Sequence, residues 1–117
     1  MSMTLEKDGS YVDVDYVEVH GTTVYENDGD TEIEAVSLDF SNGAFILKDG
    51  DTAIIELDEG TSSICSISPK CIFTSAVISV DNGRAFISVM EADGVLSNYT
   101  FYLSDLTTLV SFGHRRD

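Results

Sequence analysis

The residues of this chain that could take part in chemistry are mainly carboxylates in two alternating runs. They are Asp13, Asp15, Asp28, Asp30, Glu32 and Glu34. Side chains two positions apart on a β-strand lie on the same face, about 6.6–6.8 Å from each other. Each run therefore predicts a row of like charges along a strand, which is unfavourable unless water or a cationic partner surrounds it.

The charge of the chain is distributed very unevenly. Residues 1–60 contain sixteen of the 21 acidic residues and two of the six basic ones, so that half carries nearly all of the net charge of −15. Residues 8–39 contain ten carboxylates and no lysine or arginine. A field of this kind bears on partners and association rather than on fold. It predicts that an anionic surface faces a partner.

Two interpretations of the acidic rows are open at this point. One is a solvated face, because a strand with one wet side carries polar residues there and acidity aids solubility. The other is a mimic of nucleic acid, in which regularly spaced carboxylates imitate a track of phosphates and bind a basic groove. Small viral inhibitors of nucleases and polymerases often act in this way, which is an analogy of class and not of motif. On this hypothesis the six carboxylates named above form the partner-binding surface.

A third interpretation is a calcium loop at residues 26–32. An EF-hand loop has glycine at its sixth position, and counting back from Gly29 places Val24 at the first position, where an acidic ligand belongs. The flanking segments also resemble strands rather than helices. The sequence therefore predicts no metal site and no cofactor, and leaves open only loose binding of Ca²⁺ by clustered carboxylates.

The cysteines and histidines predict no catalytic or zinc site. Cys65 and Cys71 have C-x5-C spacing without a histidine nearby, which leaves a tetrahedral zinc shell half empty. We expect two reduced, partly buried thiols, with a disulfide as the alternative. His20 precedes a glycine and His114 lies in a basic tail, so both are expected at the surface. The glycines are single, so no phosphate-binding loop is present. We expect no catalytic residues and no enzymatic activity.

The elements that must position these groups are short strands. Asp-Gly and Asn-Gly pairs recur along the chain and supply the positive φ angles of tight turns, between runs rich in Val, Ile, Thr, Phe and Tyr. This pattern predicts one all-β domain over residues 1–117, an antiparallel β-sandwich or open barrel of about eight or nine strands. The expected strands are residues 11–19, 22–26, 31–40, 44–48, 52–58, 62–68, 71–80, 84–91 and 95–103.

Two hairpins and a C-terminal element complete the expected fold. Residues 71–80 and 84–91 alternate clearly around the turn at Asp81-Asn82-Gly83. Residues 44–58 resemble a second hairpin, whose consecutive apolar residues indicate a central position. Residues 103–112 favour a short helix that Ser104 caps, with Leu106, Leu109 and Val110 on one face, although a strand would also suit them.

Composition limits the classes of function. Apolar residues make up 43% of the chain, which is enough for a core, and no run approaches the roughly 20 apolar residues of a membrane span. We expect a soluble, cytoplasmic protein that does not bind nucleic acid or membranes directly, because both are anionic. The leading hypothesis is a small acidic inhibitor of a basic nucleic-acid-handling protein. The alternative is a structural module, such as a viral-particle or secretion component, that self-associates through the neutral strands in residues 71–103.

Overall fold

The computed structural model describes residues 3–106 and 110–114, which form a curled antiparallel sheet. The strands in this part of the chain are β1 (Met3–Lys7), β2 (Ser10–Val14), β3 (Tyr16–Tyr25), β4 (Glu32–Phe40), β5 (Gly43–Leu47), β6 (Thr52–Leu57), β7 (Ser63–Cys65), β8 (Cys71–Asp81), β9 (Arg84–Glu91), β10 (Leu96–Tyr102) and β11 (Val110–Gly113). A single 3-10 turn, Leu103–Asp105, follows β10. The prediction of an all-β open barrel is confirmed.

Strand β8 is shared by the two halves of the sheet. Along one edge of β8, residues 75–79 pair with β6 and residues 71–73 pair with β7. Along the other edge, β9 pairs with most of the length of β8. From β6 the sheet continues through β1 to β2, and from β7 it continues through β11 and β3 to β4 and β5. Within the described residues, β2, β5 and β10 each pair with one strand only and are the open edges of the sheet.

The core lies inside the curl and draws on both halves of the sheet. Its largest fully buried side chains are Leu5, Val17, Val19, Val36, Leu38, Leu47, Ile55, Phe73, Ile78, Val80, Ile87 and Phe112. The rings of Phe73 and Phe112 meet edge to face, with centroids 5.2 Å apart. Fully burying one such side chain stabilises a fold by about 1.5–3 kcal/mol, so this cluster supplies most of the driving force for the curl.

The predicted break between strands at His20-Gly21 is wrong. Strand β3 runs through both residues, and the predicted strand at residues 11–19 is interrupted instead at Asp15, between β2 and β3. A Cβ atom at Gly21 would lie 2.7 Å from the Leu103 carbonyl oxygen, and the Gly21 N–H donates to the Leu106 carbonyl at 2.8 Å. Glycine is present here because the 3-10 turn packs against the strand backbone, not because the chain turns.

The predicted hairpin at residues 44–58 is also wrong. Strand β5 pairs with β4 at an open edge, whereas β6 pairs with β1 and β8. The segment between β5 and β6 is held by Val80, which accepts from the Gly50 N–H at 2.8 Å and donates to the Asp51 carbonyl at 3.1 Å. These hydrogen bonds with Val80 hold the chain away from β5. Of the two strands that were expected at the centre of the sheet, only β6 lies between two other strands.

The hairpin around Asn82 is confirmed, with Asp81 opposite Arg84 and residues 84–91 matching β9 in full. The helix expected after Ser104 is only the 3-10 turn, and Val110 begins a strand. Leu109, which was expected on that helix, lies outside the described residues. Strand β1 is additional to the predicted set, and β11 lies where a strand was the alternative to the helix.

Candidate functional site

Strands β3 and β4 extend beyond their neighbours as a two-stranded hairpin. Strand β11 pairs with β3 only at residues 16–19, and β5 pairs with β4 only at residues 36–40. Residues 22–35 pair only with each other, from Thr22 opposite Ala35 to Tyr25 opposite Glu32. We call residues 22–35 the acidic arm. Within the described part of the chain, no other strand pairs with either backbone edge of this arm.

The acidic arm carries five exposed carboxylates and no lysine or arginine. These are Glu26, Asp28, Asp30, Glu32 and Glu34. Glu32 and Glu34 lie on one face, while Ile33 and the opposite residue Val24 lie half-buried on the other, as the alternation predicts. The salt bridges among the described residues involve Lys7 and His20 and do not reach the arm. The negative charge of the arm is therefore exposed and not neutralised by these ion pairs.

Asp28 shapes the turn at the tip of the acidic arm. Its carboxylate accepts hydrogen bonds from the Asp30 and Thr31 N–H groups at 2.9 Å each and from the Thr31 hydroxyl at 2.7 Å. These bonds, chiefly the one from the Thr31 backbone, lower the pKa of Asp28 below its ordinary value. Because both of its carboxylate oxygens hold the turn, Asp28 is a poor cation ligand. No group of three or more His, Cys, Asp or Glu side chains within the described residues could hold a metal ion.

Asp13 and Asp15 lie apart from the acidic arm. Both side chains are exposed, Asp13 on β2 opposite Thr4 and Asp15 at the bend before β3. Residues 16–21 of β3 separate Asp15 from the arm, and the seven steps from Asp15 to Thr22 correspond to about 23 Å of extended strand. The structure therefore brings Asp28, Asp30, Glu32 and Glu34 together and places Asp13 and Asp15 on a different part of the surface.

A cluster of His20, Asp39 and Ser37 at the base of the arm has no signal in the sequence. His20 and Ser37 are cross-strand partners on β3 and β4. The Asp39 carboxylate lies 2.7 Å from the His20 Nε2 atom and accepts a hydrogen bond from the Ser37 hydroxyl. In a catalytic triad the histidine lies between the serine and the carboxylate, whereas here the carboxylate lies in the middle. Ser37 contacts the carboxylate and not the imidazole, so the cluster lacks the serine–histidine hydrogen bond through which a triad activates its nucleophile.

Both ring nitrogens of His20 face acceptors, since Nδ1 lies 3.0 Å from the Gly21 carbonyl oxygen. Two acceptors favour the protonated imidazolium. Partial burial lowers the pKa of His20, but the bonds with Asp39 and Gly21 and the charges of Asp39 and Glu18 together raise it above 6.5. For Asp39, burial raises the pKa, but the bonds from Ser37 and His20 outweigh it and lower the pKa below 3.8.

These shifts predict a pH dependence of stability. The contribution of His20 is complete below about pH 6.5, the pKa of the unfolded chain, and is lost as the pH rises through its raised folded pKa. The contribution of Asp39 is present above pH 3.8 and is lost as the pH falls through its lowered folded pKa. Urea unfolding at about pH 6 and pH 8 should show wild-type stability falling by a few tenths of a kcal/mol, as for half-exposed ion pairs.

The variant His20→Gln isolates this effect. It should lose the decline between the two pH values, while His114→Gln, at an exposed position, should keep it. An equal decline in wild type and His20→Gln would show that the contact between His20 and Asp39 does not stabilise the fold.

The two cysteines lie directly opposite each other on β7 and β8, and both are buried free thiols. Burial, together with a hydrogen bond to Cys71, raises the pKa of the Cys65 thiol to about 12. Cys65 is therefore in its thiol form at neutral pH, which disfavours it as a nucleophile or zinc ligand.

No protein-family model, curated protein or solved structure matches this chain. The part of the chain that the structure describes contains no helix with the length and apolar character of a membrane span. One shallow depression of about 350 Å³ lies over β1, β2 and β6, with Thr4, Glu6, Tyr11 and Ile54 in its lining. Its lining contains neither histidine nor cysteine.

Proposed function

We propose that the protein is a cytoplasmic acidic inhibitor that binds a basic, nucleic-acid-handling protein through the acidic arm. The observation that carries this proposal is the set of five exposed carboxylates on a hairpin that contains no basic residue. A two-stranded hairpin is marginally stable by itself, and rows of like charge reduce its stability further. A cationic groove would relieve that repulsion. A basic partner would therefore stabilise the arm more than it would stabilise the rest of the sheet.

The chemistry of the arm suits a groove that normally binds nucleic acid. Glu32 and Glu34 present two carboxylates about 6.8 Å apart on one face, so a groove that neutralises successive phosphates would attract them. Such attraction accelerates association and weakens as salt screens it. Tyr25, 59% exposed and opposite Glu32, adds an aromatic contact of the kind that dominates protein interfaces.

The proposal does not include an enzymatic activity. Two observations support this. Ser37 donates to the Asp39 carboxylate and not to the imidazole of His20, and the buried Cys65 is in its thiol form at neutral pH. The negative charge of the chain also argues against direct binding to nucleic acid or to anionic lipid.

The test compares the wild type with an arm variant in a pull-down from a lysate of the source cells. The variant carries Glu26→Gln, Asp30→Asn, Glu32→Gln and Glu34→Gln and retains Asp28, because Asp28 holds the turn. We expect the wild type to capture a nucleic-acid-binding protein that duplex DNA displaces and that about 0.5 M salt releases. The arm variant should bind that protein at least about tenfold more weakly, since loss of several charge contacts is worth more than 1.4 kcal/mol.

A matched control separates the arm from total charge. The control carries Glu56→Gln, Asp58→Asn, Glu59→Gln and Asp105→Asn, which removes the same number of exposed carboxylates outside the arm. It should bind as the wild type does. Equal weakening of both variants would reduce the effect to net charge, and unchanged binding by the arm variant would disprove the proposal. A further variant, Asp13→Asn with Asp15→Asn, tests whether the binding surface extends past β3.

The alternative class, an assembly module, is favoured by a separate observation. Strand β10 is an open edge in the neutral part of the chain. If the arm variant and the wild type behave alike in every binding assay, this edge becomes the main candidate for function.

A further inference from the structure

Strand β10 is an open edge without the usual protection against pairing. It pairs only with β9 among the described strands, in a register without a bulge. Its seven residues, Leu-Ser-Asn-Tyr-Thr-Phe-Tyr, include no charge, proline or glycine. Natural edge strands are commonly protected by lysine, proline, bulges or shortness. The absence of such features here points to an edge that is paired in the functional state.

The hydrogen bonds that flank β10 show which of its backbone groups are free. The Glu91 N–H donates to the Val95 carbonyl at 2.9 Å, just before β10. The Leu103 N–H donates to the Gly83 carbonyl at 3.0 Å, just after it. Hydrogen-bonded positions alternate along an antiparallel pair, so the odd-numbered residues of β10 bond to β9. The residues whose N–H and C=O groups face the open edge are Leu96, Asn98, Thr100 and Tyr102.

We propose that this edge pairs with β10 of a second copy of the chain, antiparallel about a two-fold axis at Tyr99. In this register the free positions face each other, Leu96 opposite Tyr102 and Asn98 opposite Thr100 of the other copy. Both of these pairs occur twice, which gives about eight backbone hydrogen bonds. The two curled sheets would become one continuous sheet across the axis, the self-complementary contact that a two-fold dimer requires.

Charge explains why a second copy would pair at this edge and not at the other open edges. Two copies with a net charge of −15 repel each other, so they can approach only where charge is absent. Of the other open edges, β2 contains Asp13 and adjoins Asp15, and β5 has only five residues and is followed by Lys48 and Asp49. Strand β10 is the longest of the three edges and carries no charge.

The side chains along β10 also complement each other in this register. Leu96 and Tyr102 are 53% and 61% exposed, and pairing would place them against each other. The Arg84 guanidinium lies over the Tyr102 ring, 5.8 Å from its centroid, which holds the ring on the outer face. Asn98 meets Thr100, so two polar side chains face each other as well.

The first experiment is sedimentation equilibrium of the full chain at about 0.1 mM over a range of salt concentrations. We expect a species of twice the 12.7 kDa chain mass, and tighter association at higher salt because screening weakens the repulsion. This salt dependence is opposite to that expected for the acidic arm. The dimer proposal and the proposed function can therefore fail separately.

The variant Thr100→Pro tests the strand contact directly. The Thr100 N–H faces the open edge, so proline removes no hydrogen bond to β9, and proline is tolerated on edge strands. Dimerisation should weaken at least about tenfold in Thr100→Pro and change much less in the matched variant Thr100→Val, which keeps the N–H and loses only the side-chain hydroxyl. Far-ultraviolet circular dichroism checks that both variants are folded.

A cysteine scan tests the register. Tyr99 would face itself in a non-hydrogen-bonded pair with Cα atoms about 4.5 Å apart, within the range for a disulfide. Copper phenanthroline with dissolved oxygen should therefore cross-link Tyr99→Cys, but not Ser97→Cys, which faces Phe101. A monomer at every salt concentration, a dimer indifferent to Thr100→Pro, or equal cross-linking of the two cysteine variants would overturn the proposal.

Discussion

Truncation of Phe73 or Phe112 to alanine is expected to lower the free energy of unfolding by about 3–5 kcal/mol, the usual cost of removing a buried phenylalanine. Both side chains are fully buried, and their rings meet at an interplanar angle of 81°. Phe73 belongs to β8, which both halves of the sheet share, and Phe112 to β11, between β7 and β3. The pair therefore packs the seam on which the curl depends. Domains of this size have total stabilities of about 5–15 kcal/mol, so either variant should lose a large part of the stability of the fold.

Urea unfolding of the two single variants and the double variant measures how strongly the rings depend on each other. We expect a coupling energy of about 0.5–1.5 kcal/mol beyond area burial, as for other edge-to-face pairs. Phe40→Ala serves as the control, because Phe40 meets Phe45 at 5.4 Å in the same geometry but is only half-buried, near the open edge at β5. If Phe40→Ala lowered the free energy of unfolding as much as Phe112→Ala does, the contact between Phe73 and Phe112 would not be specially important for the fold.

The sequence predicts the strands of this fold better than it predicts their partners. Alternation identifies the hairpin of β8 and β9 because its two strands are neighbours in the chain and a two-residue turn sets their register. Strand β1 pairs with its neighbour β2 across the two-residue turn Asp8-Gly9, but its other partner, β6, lies about fifty residues away, and β11 pairs with β3 and β7. A five-residue strand carries no information about a partner at that distance. The pairing of β1 with β6, and of β11 with β3 and β7, could therefore not be predicted from the sequence.

The candidate site was predictable to a similar extent. Alternation correctly places Glu32 and Glu34 on one face, because that property is local to one strand. The separation of Asp15 from the arm depends on the length of β3. This strand continues through Gly21 because the 3-10 turn packs against the backbone there and leaves no room for a side chain. That contact is tertiary, so no turn rule could have anticipated it. The contact between His20 and Asp39 likewise exists only because β3 and β4 pair in one register.

Replacing Gly113 by alanine is expected to cost about 2–5 kcal/mol. Gly113 has a φ angle of +94°, and a Cβ atom there would lie 2.6 Å from the Asp15 carbonyl oxygen and 2.7 Å from the Met3 methyl carbon. The left-handed conformation costs an alanine about 1–2 kcal/mol, and forcing a methyl group into filled space typically costs a further 1–3 kcal/mol. The methyl group of Met3 can shift, but the Asp15 carbonyl belongs to the backbone at the bend between β2 and β3.

Gly29→Ala separates the two causes of this loss. Gly29 has a similar φ of +78°, but no atom lies within 4 Å of the added Cβ, so only the conformational cost of about 1–2 kcal/mol remains. Thermal and urea unfolding should rank Gly113→Ala well below Gly29→Ala, and equal stabilities would show that the bend at Asp15 does not pack against β11. The Asp15 carbonyl also accepts from the His114 N–H at 2.9 Å. A carbonyl pushed aside by the methyl group would weaken this bond too, so the end of β11 and the start of β3 should loosen together.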